Sequence, residues 1–378
     1  MKPYLMVSGD FVRTGGMDVA NYWLARHLAD RGHEVHLVAH RIADDLSRRA
    51  NIRFHRVIKP LGSSLLGEPL LDRAGRHWAD FVARRGGKVL ANGGNCGSKG
   101  TNWVHYVHAA YQPIIKGSPA RRLKSIVERG LYLAHERRAL LKSKLIIANS
   151  ARTRSDVVTR LAVRPDHVRT VYYGADPEAF HPHSRDAQER SRAKLEVPEG
   201  GPVVLFVGSI ADDRKGFSTL LEAWRRLCAD PGWDAQLAVA GTLSKMGSKI
   251  PDSHAAIRPR VHFLGFRYDI PQVLAACDLL VSPARYEAYG LAVHEALCSG
   301  VPAFVSAKAG VAEQYPATLQ HLLLPNPEDA ADISDRLRQW RKCIDEYRAA
   351  TSELSRQLRS RTWDHACAEM VELIEAAG

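Results

Sequence analysis

Cysteine is sparse. The 378 residues hold six, at Cys96, Cys228, Cys277, Cys298, Cys343 and Cys367, scattered and with no C-x-x-C pair. That spacing excludes a disulfide framework or a cysteine zinc site and fits a reducing compartment. No run of about 18 apolar residues occurs, so a membrane-spanning helix is not expected. The first ten residues lack the long apolar core of a signal peptide and read instead as a first sheet strand, so a cytoplasmic location is expected. No G-x-G-x-x-G fingerprint follows a strand, which argues against a nicotinamide enzyme, and no H-E-x-x-H or clustered His/Cys set appears. D-x-D, internal repeats beyond two similar α/β halves, and low-complexity segments are absent too.

Acidic residues are scarce only in the first half. Residues 1–180 carry 30 Lys/Arg against 15 Asp/Glu, and the remainder 23 against 26, so the net charge of +12 belongs wholly to the first half. Such a field attracts anions: phosphorylated lipids, an anionic leaflet or nucleic acid. No nucleic-acid module or aromatic-basic repeat accompanies it, so nucleic acid is not expected as a partner. A solubilising surface is the alternative explanation.

What is present is a strand-helix alternation, run through twice. Residues 4–8 form a buried strand. Gly15-Gly16 opens a helix with Val19, Trp23, Leu24 and Leu28 on one face, Gly32 ends it, and residues 34–39 make the second strand, a βαβ unit that implies a parallel sheet. Further strands are expected at 89–91, 103–107 and 145–148, with one or two helices over 119–144 and a cap at Asn149-Ser150. Residues 60–100 show no clear pattern, and 93–100 reads as a loop. The pattern restarts at 203–207 and 217–227 and continues through strands at 236–240, 261–264, 279–281 and 303–305. Residues 332–347 carry helix signals. Residues 362–377 read as a last helix capped by Thr362, with Trp363, Ala366, Met370, Leu373 and Ile374 on its apolar face. The expected domains are residues 1–180, a polar linker at 181–201 containing Pro182, Pro198 and a short helix, residues 202–361, and the terminal segment 362–378.

Two junctions carry the chemistry. A strand runs into Ser282-Pro283, and Glu287 follows on the loop. Tyr289-Gly290 then turns into a helix beginning near Gly290, and Glu295, eight residues beyond Glu287, falls on that helix. Open α/β sheets bind ligands outside the carboxyl ends of their strands, and two carboxylates there suit the hydroxyls of a sugar and a ribose. The second junction joins strand 203–207 to helix 217–227 through Gly208, Ser209, Arg214, Lys215 and Gly216. An arginine beside a lysine at a strand-loop-helix turn is a natural diphosphate site, because the guanidinium binds two oxygens and the ammonium adds a point charge. Gly15 and Gly16 allow close backbone approach to a ligand at the tip of the first strand. His105 and His108 end a strand on opposite faces; His108, the further out, is placed to reach the crevice.

The Glu287/Glu295 spacing, with its exit through Ser299-Gly300-Val301-Pro302, resembles the E-x7-E signature of the retaining glycosyltransferases of family 4. The resemblance covers nearly the whole chain in element order, is specific over 203–302, and is weak over about 40–100. It implies the GT-B fold: two Rossmann-like α/β/α domains facing a central cleft, with the C-terminal helix crossing back to the first. It further implies that Glu287 contacts the donor sugar and Glu295 the ribose. Arg214 and Lys215 would stabilise the departing diphosphate, His108 would lie near the transferred sugar, and the loop of Gly15 and Gly16 would face the donor phosphates. The loop with Arg267 would border the base, and Tyr289, Gly290 and Leu291 would line the donor site. Many members have arginine where this chain has Ser209; the arginine here is Arg214, a G-S…R-K-G form similar to lipopolysaccharide core glucosyltransferases. The turn at Lys308, Gly310 and Glu313 resembles the family's glycine-rich turn, with Glu313 structural.

The expected activity is transfer of a hexose, with retention, from a nucleotide-diphospho-sugar (a UDP-sugar favoured) to a glycan or lipid-linked acceptor in polysaccharide or lipopolysaccharide synthesis. No cofactor or metal is expected. The enzyme would be cytoplasmic, touching an anionic inner membrane face through its first domain. A nucleotide-sugar epimerase of the same fold and a non-catalytic glycan-binding protein are the alternatives.

Overall fold

The computed structural model describes residues 2–115, 118–197, 200–242 and 257–377. The chain forms two compact units, Met1–Gly174 with Trp363–Gly378, and Ala175–Thr362.

The strands of the first unit are β1 (Tyr4–Val7), β2 (Asp10–Phe11), β3 (Val35–Ala39), β4 (Arg41–Ile42), β5 (Ile52–Arg56), β6 (Lys88–Asn92), β7 (Thr101–Val104), β8 (Leu145–Ala148) and β9 (Val168–Thr170). Its helices are α1 (Gly16–Asp30), α2 (Asp44–Ser47), α3 (Ser64–Arg84), α4 (Pro119–Lys142) and α5 (Ala151–Leu161). Seven strands make one parallel sheet in the order β5-β3-β1-β6-β7-β8-β9, and β2 pairs separately with β4. Every residue of β1, β3, β7 and β8 is buried, as expected of parallel strands covered on both faces. The sheet winds outward from β1 in one direction and resumes at β6 in the other, so β1 and β6 meet at the switch point.

The second unit holds α6 (Arg185–Lys194), β10 (Val203–Val207), α7 (Phe217–Cys228), β11 (Gln236–Ala240), β12 (Val261–Gly265), α8 (Ile270–Ala275), β13 (Leu279–Ser282), α9 (Leu291–Cys298), β14 (Ala303–Ser306), β15 (Leu323–Leu324), α10 (Ala330–Lys342) and α11 (Ile344–Ser360). Its parallel sheet runs β12-β11-β10-β13-β14-β15, with the switch between β10 and β13. The last helix, α12 (Trp363–Ala376), belongs to the first unit. Trp363 is buried there, stacked on Trp23 with ring centroids 6.3 Å apart, and Tyr4 Oη donates to Glu375 Oε1 at 2.5 Å. Two Rossmann-like parallel-sheet units and this returning helix are the expected GT-B architecture.

Several elements differ from the sequence reading. The patternless stretch 60–100 contains the 21-residue α3, which buries Leu71, Ala79 and Val82 against Leu5, Val7, Val89 and Ala91. Gly75 lets it approach: a Cβ there would lie 2.9 Å from both Val7 Cγ1 and Cys96 Sγ. Strands β5, β9 and β15 carry no clear sequence signal. The strand expected over 103–107 spans Thr101–Val104, and His108 starts a 3-10 turn, His108–Ala110, so the alternation argument does not reach it. The segment 181–201 holds the expected short helix, α6. Arg192 of α6 pairs with the buried Asp278, whose Oδ2 also accepts the Val203 N–H at 2.6 Å, because a buried carboxylate needs charged and N–H partners. Pro198 lies outside the described residues. The helix expected over 332–347 is two helices broken at Cys343.

Candidate functional site

Strands β10 and β13 are hydrogen-bonded neighbours, so the Arg/Lys loop and the glutamate loop leave the sheet side by side at its switch point, where open α/β sheets hold ligands. The first loop depends on glycine. Gly216 has φ +75°, and a Cβ on it would fall 1.9 Å from the Pro283 carbonyl oxygen, so only glycine lets the two loops meet. Asp212 holds the turn between them: its Oδ1 accepts the Arg214 N–H at 3.0 Å and its Oδ2 accepts Arg214 Nη2 at 2.9 Å.

Cross-links then fix the loops to each other. Arg214 O accepts the Arg285 N–H at 2.8 Å, and Arg214 Nη1 donates to Tyr286 O at 3.1 Å. Lys215 Nζ donates to Glu287 Oε2 at 2.5 Å, with Arg214 Nη1 3.7 Å from the same oxygen. These side chains are only 24%, 15% and 16% exposed for Lys215, Glu287 and Arg214. The glutamate loop is tied on its other side too, since Glu287 O accepts the Gly310 N–H at 3.1 Å and Tyr289 O the Val311 N–H at 2.7 Å. The turn of Lys308 and Gly310 therefore braces the loop, and Glu313 is exposed on the 3-10 turn Gly310–Gln314.

Gly290 precedes α9 with φ +107°. The first-turn N–H groups of a helix lack intrahelical acceptors and favour anionic groups, and Leu291 is partly exposed there. Glu295 keeps a small accessible face but lies among so many protein atoms that burial, with Asp176 adding repulsion, pushes its carboxyl up to about 8. Tyr289 offers backbone only, because its ring is buried and its hydroxyl lies 2.9 Å from His294 Nδ1. Ser209 accepts the Asp212 N–H at its carbonyl. Arg267 follows the edge strand β12, and its Nε and Nη2 donate to Asp269 at 2.8 and 2.5 Å.

In the first unit Gly15 precedes α1 with φ +82°, and Gly16 begins the helix. Asp18, in the first turn, is raised to about 7 by burial and by Asp10. Sequence reasoning missed it, although its place three residues past Gly15 was a signal. Below it a buried relay at the switch point joins Asn92 Nδ2 to Asn21 Oδ1 at 2.7 Å and Asn21 Nδ2 to Ser8 Oγ at 2.8 Å. His108 stacks on Tyr132 with centroids 5.5 Å apart, and burial pushes its imidazole down to about 4. Its backbone N–H donates to Glu136 Oε1 at 2.8 Å. Burial raises Glu136 to about 7; nothing in the sequence distinguishes it from the other charges of α4. His105 is buried, with Nδ1 hydrogen-bonded to the Tyr173 hydroxyl, which makes it a packing residue.

Comparison with known proteins follows this division. Residues 14–179 match the family described as Glycosyltransferase Family 4, and residues 187–358 that described as Glycosyl transferases group 1. A D-inositol 3-phosphate glycosyltransferase of Corynebacterium aurimucosum is 26% identical over 245 residues, 62% of this chain and 58% of the relative. The chain spans about half the length of several such curated relatives. Among solved structures, WaaG, a glycosyltransferase involved in lipopolysaccharide biosynthesis, superposes with a TM-score of 0.79 at 20% identity, covering 98% of this chain and 99% of that one. Anabaena Alr3699/HepE in complex with UDP and glucose gives 0.72 at 18% identity, with both chains fully covered. At these identities the superpositions establish the fold; with the two family matches, which follow one another along the chain, the chain belongs to the glycosyltransferases of the group 1 type.

Proposed function

We propose that the chain transfers a hexose, with retention of anomeric configuration, from a nucleotide-diphospho-sugar to a glycan or lipid-linked acceptor. A UDP-sugar is the favoured donor, a choice supported by the fold shared with a protein that binds UDP and glucose. The observation that carries the reading is the meeting of Lys215, Arg214 and Glu287 across two loops at the β10/β13 switch point. Before donor binds, Glu287 balances the two cations. With donor present, the diphosphate takes the ammonium and guanidinium, and the glutamate is released to accept hydroxyls of the sugar. Glu295, proton-bearing near neutral pH, can donate to a ribose oxygen.

The bond from the anomeric carbon to the diphosphate breaks, and the acceptor oxygen bonds that carbon from the same face. The acceptor proton passes to a phosphate oxygen. Negative charge grows on the diphosphate as the bond breaks, and cations held in place beforehand lower that barrier. Lys215 and Arg214 do this without a metal in the proposed mechanism, so activity should persist in excess chelator. The basic first half supports an anionic or lipid-linked acceptor at the inner membrane face, with Gly15, Gly16 and His108 on the acceptor-bearing unit.

The test has two stages. Nucleoside diphosphates are first screened by thermal shift, where a binder raises the melting temperature by mass action. Radiolabelled donor is then incubated with and without acceptor glycolipid. Label moving to glycolipid supports the proposal; label converted to an isomeric nucleotide sugar without acceptor makes the chain an epimerase. Absence of any nucleotide stabilisation refutes the donor site.

A further inference from the structure

Over its first turns, helix α4 is amphipathic in the reverse sense. The partly buried positions of this stretch are largely polar: Ser125, Glu128, Arg129 and Tyr132. Arg129 Nη1 donates inward to Tyr111 O at 2.8 Å. The aliphatic positions point out instead. Leu123, Ile126 and Val127 are 64%, 56% and 52% exposed, Leu131 is 41% exposed, and Ile114 just ahead of the helix is 59% exposed. Spacings of three and four residues line Leu123, Ile126, Val127 and Leu131 up as one stripe of α4. A contiguous exposed apolar stripe of this kind marks an interaction surface.

Charge identifies what covers it. Arg122, Lys124, Arg137, Arg138 and Lys142 are exposed on the same helix, within a half of the chain holding 30 Lys/Arg against 15 Asp/Glu. A second copy would bring this positive field against itself. Among the described residues no helix is long and apolar enough to cross a membrane. An apolar stripe flanked by cations on a surface helix is the pattern that lies in the headgroup layer of an anionic leaflet, aliphatic side chains in the acyl boundary and cations on the phosphates. Neighbouring α3, joined to α4 by Arg138 Nη2 at 3.9 Å from Asp72 Oδ2, exposes Leu66 and Leu70, with Ile58 and Leu61 exposed just before it.

We infer that the outer face of α4, centred on Leu123, Ile126 and Val127, docks the protein onto an anionic lipid bilayer. The inference extends the proposed lipid-linked acceptor but needs no donor, so its failure leaves nucleotide binding untouched. The experiment is co-sedimentation of the whole protein with vesicles of equal phosphatidylglycerol and phosphatidylcholine, and with phosphatidylcholine alone, at low and high salt. The wild type should bind the anionic vesicles and release steeply as salt rises. The Ile126→Glu/Val127→Glu variant should partition roughly tenfold less or weaker still, since two half-exposed aliphatic side chains lose their burial. Its UDP-induced thermal shift should be unchanged, which reports that it is folded. Hydrogen exchange of the α4 amides should slow on anionic vesicles. Equal binding to neutral vesicles, no binding at all, wild-type binding by the variant, or a wild-type dimer that the variant dissolves to monomer would each overturn the inference.

Discussion

Removing the Lys215 ammonium tests the proposed mechanism most directly. Lys215 and Arg214 both address Glu287, at 2.5 and 3.7 Å, from a site where each side chain is mostly buried. One preorganised donor to developing negative charge is worth about 2.7–4 kcal/mol in the transition state, or about 10²–10³ in rate. Arg214 remains within reach of the same region, so Lys215→Ala should fall toward the lower end, about a hundredfold in kcat at saturating donor. UDP affinity should weaken as well, because a hydrogen bond to a charged group contributes about 1.5–3 kcal/mol net. Stability should fall by about 1–3 kcal/mol, the cost of taking one partner from a mostly buried hydrogen bond, toward the lower end because Arg214 stays near Glu287. Lys215→Met retains the alkyl stem and separates charge from packing. The assay is initial-rate transfer from radiolabelled UDP-hexose, with UDP titrated calorimetrically in parallel. A kcat within about threefold of wild type, with UDP binding intact, refutes the cationic mechanism.

Gly216→Ala places a Cβ 1.9 Å from the Pro283 carbonyl in a left-handed conformation, so the two loops must part; UDP affinity should drop at least roughly tenfold, and an unchanged titration would show the loops to be independent. Glu295 binds a proton in the folded state up to about pH 8 but in the unfolded chain only to about 4.3, so its contribution to stability is full below the lower value and is lost as pH rises toward the upper one. The melting temperature of Glu295→Gln should therefore decline less than that of wild type between about pH 5 and 8, and parallel curves would exclude a raised carboxyl. Trp363→Ala removes the buried ring stacked on Trp23 and should cost about 3–5 kcal/mol, read as a melting temperature lower by roughly ten degrees; a drop below about two degrees would mean that α12 does not hold the first unit.

The sheet elements most legible in the sequence are those buried on both faces and bounded by glycine, such as Tyr4–Val7 and Val203–Val207. Each is a short apolar run whose burial is its own signal. Helix α3 was hidden because Pro69 and Gly75 interrupt it, and its stability comes from packing against β1 and β6, which local propensity does not register. Tyr289 was legible as a turn residue, but only the fold shows its ring bonded to His294. Arg267 was legible as a residue of the loop after a strand, and only the fold shows its guanidinium paired with Asp269, two residues on.

From the sequence alone came the alternation of elements, the glycines at turns, the charge asymmetry, and the spacing that sets Glu295 on a helix eight residues beyond the loop residue Glu287. These are local properties, fixed by residue type and helical period. Tertiary structure decided that β10 lies beside β13, and so that Lys215 reaches a carboxylate 72 residues away. It also decided which face of α4 looks outward, and that Glu136 and Asp18 are buried enough to hold protons near neutral pH. Strand order and burial depend on contacts between residues distant in the chain, and no local pattern encodes which distant partner will be met.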